Sequence, residues 1–335
     1  ASQAFQPHIL FYCALGVTVG TFVGVLPGIG SMTAISLLLP LTFYLDPASA
    51  LVMLAGIYYG AEYGGSTASI LLNLPGTAST AVTCLDGYPM SKQNRAGVAL
   101  LATAIASFIG GSIGILAMIF LSPLLASFAL SFAPADYFAV MVLGLLASAA
   151  ITQGSALKGI AMIALGVLLG CVGTDVNTGV VRFSAGIPQL FEGVSLVAMA
   201  MGLFGVSEVI ASVVQLRGGS VGQKVGFLDM LPTREDVRRS VFPILRGSGI
   251  GSVLGALPGT GPTIAAYLSY AMEKRVARDP SIFGKGAIEG VAAPEAANNS
   301  AAQTGFVPTL TLGIPGSATM ALMLGALMIQ GIPPG

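Results

Sequence analysis

Residues 16–30 read GVTVGTFVGVLPGIG, and residues 247–261 read GSGIGSVLGALPGTG. A shift of 231 positions superposes Gly16, Gly20, Gly24, Leu26, Pro27, Gly28 and Gly30 on Gly247, Gly251, Gly255, Leu257, Pro258, Gly259 and Gly261. Seven identities in fifteen positions, with the glycines in step, mark an internal repeat. Glycines four apart clear one helix face for close backbone approach. The Pro-Gly pair that follows removes a backbone hydrogen bond and opens the chain, so each copy predicts a helix broken at the same point. A shift of 240 brings Pro75 and Gly76 onto Pro315 and Gly316, so the chain carries four breaks: LPGIG (26–30), NLPGTAST (73–80), LPGTG (257–261) and GIPGSAT (313–319).

The sequence around these breaks is apolar throughout. Of 335 residues, 54% are hydrophobic and 8% are charged, where an ordinary soluble domain carries about 25% charge. That composition cannot be hidden in one water-soluble core of this size, so the surrounding medium is lipid and the 45 glycines and 19 prolines belong to membrane helices rather than to disorder. A net charge of zero gives no bias toward nucleic acid. His8 is the only histidine, which removes His-based triads and His-ligated metals. Cys13, Cys84 and Cys171 are far apart in apolar stretches and read as small core residues. No basic residue precedes the apolar run at 9–26, so a secretory signal peptide is not expected, and the chain, starting without Met and stopping after an apolar segment, reads as incomplete.

Four stretches, 97–121, 136–152, 156–172 and 191–211, read as uninterrupted spans, which need about 17–25 residues. The arms 246–257 and 262–272 read as too short to cross alone, which predicts a re-entrant hairpin tipped by LPGTG, and the first LPGIG segment is read the same way. Thirteen of the fourteen basic residues then fall on one side, the cytoplasmic one, with Arg182 opposite. With residues 48–63 crossing once and the NLPGTAST segment re-entrant, five crossings separate the two glycine-rich hairpins, so the repeats are expected to be inverted, the arrangement of secondary transporters. The expected architecture is an all-α polytopic membrane protein: a first repeat with its helices at 1–211, a charged linker at 212–245, and a second repeat at 246–335 truncated at its C-terminus.

Half-helix N-termini at such breaks carry positive partial charge and suit a carboxylate, whereas C-termini and unwound carbonyls, as at Gly28 and Gly259, suit Na⁺. Around the breaks stand Ser31 and Thr33, Asn73, Thr77, Ser79 and Thr80, Thr260 and Thr263, Asn298, Asn299 and Ser300, and Ser317 and Thr319. Singly, each serves helix capping or packing as readily as a ligand; clustered at four matched breaks, they point to a site. Glu62 and Glu295 precede the second break of each half and are candidates to carry a proton or Na⁺, or to sit at an interface, with Glu208 and Glu289 competing for the role. The GIG and GTG pieces lack the third glycine and downstream acid of a dinucleotide site.

The strings GVLPGIGSMTAISLLLPLTF (24–43), AGIYYGAEYGGSTASILLNLPGTASTAVTCLDGYPM (55–90), GALPGTGPTIAAYLSYAMEKR (255–275) and FGKGAIEGVAAPEAANNSAAQTGFVPTLTLGIPGSATMALMLGAL (283–327) resemble the TctA-type large membrane subunit of tripartite tricarboxylate transporters. The resemblance implies a multi-pass protein of the bacterial inner membrane, longer than this chain, that works with a small membrane subunit and a periplasmic solute-binding protein. It further implies secondary uptake of citrate or a related carboxylate driven by a cation gradient, Na⁺ or H⁺, with no other cofactor. On this view the tips Asn73, Pro75, Gly76, Thr77, Ser79, Thr80 and Gly313, Pro315, Gly316, Ser317, Thr319 face each other and hold the carboxylates, supported by Ser31, Thr260, Asn298 and Asn299. The coupling cation falls to Glu62, Glu295, Gly28 and Gly259. The rival reading is a channel, since opposed hairpins also build pores. An enzyme ranks last, for lack of any nucleophile-base spacing.

Overall fold

The computed structural model describes residues 5–27, 29–129, 155–174, 180–191, 228–257 and 259–332, with Gly226 and short runs within 133–142 and 193–210. Helix α1 (Pro7–Val25) starts on a proline, which costs nothing at a first helical turn. It stops at Leu26, whose extended backbone (φ −78°, ψ 114°) is the conformation a following proline imposes. Gly30, at φ +65°, opens the nine-residue α2 (Gly30–Leu38), which tightens into a 3₁₀ stretch at Leu39–Tyr44. Asp46 caps α3 (Pro47–Leu72) by accepting from Ser49 N at 3.1 Å, and Asn73 ends it in the left-handed conformation. Helices α4 (Cys84–Lys92), α5 (Ala96–Ala129) and α6 (Ala156–Gly170) follow. After them come α7 (Arg234–Gly255), α8 (Gly261–Val276), α9 (Glu289–Thr304), α10 (Phe306–Leu312) and α11 (Ala318–Ile329). A two-residue antiparallel pairing of Gly173–Thr174 (β1) with Val181–Arg182 (β2) is the one described departure from an all-helical chain.

The glycine rows do the same work twice. A Cβ on Gly16, Gly20 or Gly24 of α1 would lie 2.3, 2.2 or 2.3 Å from the carbonyl oxygens of Met53, Ile57 and Ala61 on α3. On Gly247, Gly251 or Gly255 of α7 it would lie 2.3, 2.2 or 2.4 Å from those of Ala293, Ala297 and Ala301 on α9. Backbone therefore meets backbone in both pairs, where Cα–H···O contacts contribute about 0.5–1 kcal/mol each. Helix α9 is gripped from a second direction by Gly110 and Gly114 of α5, which press on Ala296 and Ser300. One apolar core joins the halves, with Ile35, Leu39, Met53, Leu54 and Ile57 packed into a cluster with Phe306, Met320 and Met323. Large side chains such as Phe22, Phe108, Phe120 and Leu157 point outward, each more than 70% exposed, as a lipid-facing surface requires.

Among the described residues, several charged groups gather around the first half of α7 and its neighbours. Arg95 pairs with Asp236, Gln93 Nε2 donates to Lys285 O at 2.7 Å, and Arg239 and Arg246 make two-pronged ion pairs with Glu289 and Glu273 at 2.6–2.8 Å. Asp86, fully buried, accepts from the backbone N–H of Gly284, Gly286 and Ala287 at 2.8–2.9 Å and from the Tyr270 hydroxyl at 2.9 Å. The 92–95 loop, the start of α7 and the 277–288 loop are thereby tied together.

Several expectations about segments change. Among the described residues two helices are long and apolar enough to span a bilayer, Pro7–Val25 and Ala96–Leu124. The first was expected to be a re-entrant arm, yet its 19 residues suffice for a crossing of their own. The arm expected to begin at residue 246 begins at Arg234, because a Thr233/Asp236 capping box satisfies the helix start there; residues 234–245 of the expected linker are the first turns of a 22-residue helix. Helix α6 has 15 residues, fewer than a span needs. Most of 136–152 and eight residues of 191–211 lie outside the described residues, so the crossing count between the repeats does too.

Candidate functional site

A cavity of about 410 Å³ opens where the breaks converge. Its walls are the start of α2 (Gly30, Ser31, Met32, Thr33), Tyr58 and Glu62 of α3, the 75–79 loop, Pro262 and Thr263 of α8, and Ser317 to Thr319 at the start of α11. The loop can lie so close because three glycines stack: a Cβ on Gly76 would fall 1.9 Å from Gly24 O and 2.5 Å from Gly65 Cα. In the second half a Cβ on Gly316 would face the corresponding Gly255 O and Gly305 Cα less tightly, at 3.3 and 3.8 Å.

Among the described residues Glu62, only 3% exposed, is the sole carboxylate on the lining, and no Lys or Arg lines the cavity. Its Oε1 accepts from Ser31 Oγ at 3.4 Å; its Oε2 accepts from Thr77 Oγ1 at 3.3 Å and from Ser79 Oγ. Ser31 Oγ also meets Thr319 Oγ1 at 3.5 Å, so residues 288 apart in sequence share this site. Tyr58, one turn before Glu62 on α3, lines the same cavity as Ser317. Helices α2, α8 and α11 all begin at the cavity; the residues preceding α2 and α8, Ile29 and Thr260, place no side chain on the free N–H groups, while Ser317 caps α11 by accepting from Met320 N at 3.2 Å. Helix starts of this kind attract anions, each equivalent to roughly half a positive charge.

Of the residues expected at the site, Ser31, Glu62, Pro75, Gly76, Thr77, Ser79, Ser317 and Thr319 are brought together on the cavity wall. Others serve the backbone beside it. Asn73 is exposed, and it and Gly313 are left-handed helix ends, at φ +57° and +67°. Thr80 Oγ1 accepts from Thr77 N at 3.2 Å, and Thr260 Oγ1 donates back to carbonyls at the end of α7. Gly259, at φ +79°, belongs to that same turn, and neither it nor Pro315 nor Gly316 lines the cavity. Gly28 lies outside the described residues. Tyr58, Met32 and Pro262 are wall residues that sequence reasoning missed; for Tyr58 the signal was its position four residues before Glu62, on the same helix face.

Glu295, Asn298 and Asn299 stand apart from the cavity, in a buried cluster between α9, α5 and α3. Glu295, 0% exposed, accepts from Ser66 Oγ, from Ser107 Oγ at 2.7 Å and from Asn299 Nδ2 at 3.0 Å. The two glutamates are also not repeat partners: under the shift of 240, Glu62 faces Ala302 and Glu295 faces Ala55.

No solved structure matches the chain. It is 49% identical over 332 residues to an uncharacterised 52.8 kDa protein of the TAR-I ttuC′ 3′ region of Agrobacterium vitis, covering 99% of this chain and 66% of that protein, just under two thirds of its length. It is 59% identical over 85 residues, 25% of this chain and 35% of the relative, to an uncharacterised protein of the TAR-II ttuC′ 3′ region of the same organism. Residues 10–335 match the tripartite tricarboxylate transporter TctA family. The chain, with its lipid-compatible exterior and its cavity at the helix breaks, belongs to that family of membrane transporters.

Proposed function

We propose that this chain carries out secondary uptake of a carboxylate, citrate or a related organic acid, across the bacterial inner membrane, coupled to a cation gradient. A periplasmic solute-binding protein delivers the substrate, and a small membrane subunit completes the assembly. The observation that carries the reading is the charge make-up of the cavity: three helix starts and a set of hydroxyls, with, among the described residues, one buried carboxylate and no basic side chain on its wall. The helix starts attract the substrate carboxylates, and Ser31, Thr77, Ser79 and Thr319 hydrogen-bond their oxygens. Glu62 repels the same anion unless a proton or Na⁺ neutralises it, so anion entry and cation entry are linked at one residue. Inverted halves moving against each other then give alternating access.

The test is uptake of labelled citrate and related acids into proteoliposomes holding the full-length chain, the small subunit and the binding protein. Imposing a Na⁺ or proton gradient is expected to drive accumulation, and unlabelled substrate inside is expected to accelerate entry of label by exchange. A channel would equilibrate the label without exchange. Ser79→Ala and Thr319→Ala are each expected to weaken apparent affinity about tenfold, the scale of one buried hydrogen bond to a charged group; wild-type transport by both would remove the cavity from the substrate path.

A further inference from the structure

The Glu295 cluster has no part in substrate contact, and its geometry is unusual for a packing motif. Around Asn299 Nδ2 stand four oxygens: Asn298 Oδ1 at 2.7 Å, the Glu295 backbone carbonyl at 2.9 Å, and Ser107 Oγ and Glu295 Oε1 at 3.0 Å. An amide nitrogen has two hydrogens to give. Two of the four oxygens therefore face it without a proton to share. Meanwhile Asn299 Oδ1 and Asn298 Nδ2, both fully buried, have no hydrogen-bond partner among the described residues. An orphaned amide oxygen in a dry interior costs about 1–3 kcal/mol.

The charge is unbalanced as well. Every partner of Glu295 among the described residues is neutral, and an ionised carboxylate buried without a counter-charge costs several kcal/mol. Oxygens converging on one buried point, one of them a carboxylate, are the donor set of a hard cation. A single carboxylate balances one positive charge and no more, which favours a monovalent ion over a divalent one.

We infer that the Glu295 cluster is a cation site separate from the substrate cavity, which takes Na⁺ through the Glu295 carboxylate, the Ser66 and Ser107 hydroxyl oxygens and the side-chain carbonyls of Asn298 and Asn299. A cation at the convergence point displaces the amide nitrogen, and turning the Asn299 amide over puts its orphaned oxygen to use. Helix α3 joins this site to the cavity, because Ser66 lies one helical turn after Glu62. The coupling role of the ion rests on the transport reading; its binding does not.

The experiment is equilibrium binding of radiolabelled Na⁺ to the detergent-purified full-length protein, in choline buffer with no substrate present. Saturable binding is expected for wild type and for Gly249→Ala, a substitution into open space. Glu295→Gln is expected to remove this site, leaving at most the binding at Glu62. Ser66→Ala and Ser107→Ala, milder changes that touch Glu295 and not Glu62, are expected to weaken it about tenfold each while leaving the thermal midpoint close to wild type. Unchanged Na⁺ affinity in all three variants overturns the site. So does a wild-type protein that binds no Na⁺ and transports on a pH gradient alone, which would make Glu295 a proton carrier. Na⁺ binding without any carboxylate uptake in proteoliposomes would instead sink the transport reading and leave the cation site standing.

Discussion

Asp86 shows how much a single buried carboxylate can hold. Its Oδ1 takes three backbone N–H groups of the 284–287 turn, and its Oδ2 takes the Tyr270 hydroxyl. Asp86→Ala strands those donors and is expected to cost about 3–5 kcal/mol, read as a large drop in the thermal midpoint. Asp86→Asn keeps the Oδ1 acceptor and is expected to recover most of the loss; equal damage from both would mean that charge, not hydrogen bonding, is the agent. Nothing in the spacing of residues 84–92 announces this role, since its partners are backbone groups some 200 residues away. The cavity was easier to read. Ser31, Thr77, Ser79, Ser317 and Thr319 all follow a Pro-Gly or Gly-rich break, and the break explains why they meet. Pairing Glu62 with Glu295 failed because nearness to a break is not equivalence: one lies thirteen residues before Pro75, the other twenty before Pro315. That offset puts Glu62 on the cavity wall and Glu295 in a separate buried cluster.

Helices supply the sharpest contrast within one element. Gly251 and Gly249 are two residues apart on α7, yet a Cβ on the first would stand 2.2 Å from Ala297 O and on the second would meet nothing within 4 Å. Gly251→Ala is expected to destabilise by about 1–3 kcal/mol through overpacking, while Gly249→Ala is expected to be neutral or to stabilise by up to about 1 kcal/mol. Similar unfolding midpoints for the two would refute backbone contact between α7 and α9. The start of the same helix responds to pH. Asp236 lies in its polar first turn, outside the apolar segments; burial pushes its carboxyl up, but hydrogen bonds from Thr233 and the pairing with Arg95 outweigh that and hold it below the ordinary carboxylate value. A lowered value means the contribution is complete above about pH 3.9, the unfolded value, and is lost as the pH falls further. Asp236→Asn is therefore expected to lower stability at pH 7 by about 1 kcal/mol, read as a drop in the thermal midpoint, with the gap to wild type closing in acid. The glycine spacing was legible in sequence as helix contact; the true start of α7 was not, because the capping box lies inside a run of charges that resembles a linker.

Across the whole molecule, local packing is repeated while the polar chemistry is not. The rows Gly16/Gly20/Gly24 and Gly247/Gly251/Gly255, and the stacks Gly24/Gly65/Gly76 and Gly255/Gly305/Gly316, recur at fixed offsets. The carboxylates do not recur. Composition was enough to place the chain in lipid, because exposed apolar area on this scale has no other solvent, but sidedness depends on loops whose partners are remote. Since Arg95, Asp236, Gln93 and Lys285 are tied together, cysteines introduced at Asn94 and Ser281 are expected to react with an impermeant thiol reagent from the same face, the cytoplasmic one, and labelling from opposite faces would break that assignment. Helix α3 carries a further consequence. It presents Tyr58 and Glu62 to the cavity and, one turn on, Ser66 to Glu295. Two ligands that bias one rigid element must influence each other equally. If Na⁺ at Glu295 tightens substrate binding tenfold, substrate must tighten Na⁺ binding tenfold, and the order in which the two arrive is a matter of concentration rather than of design.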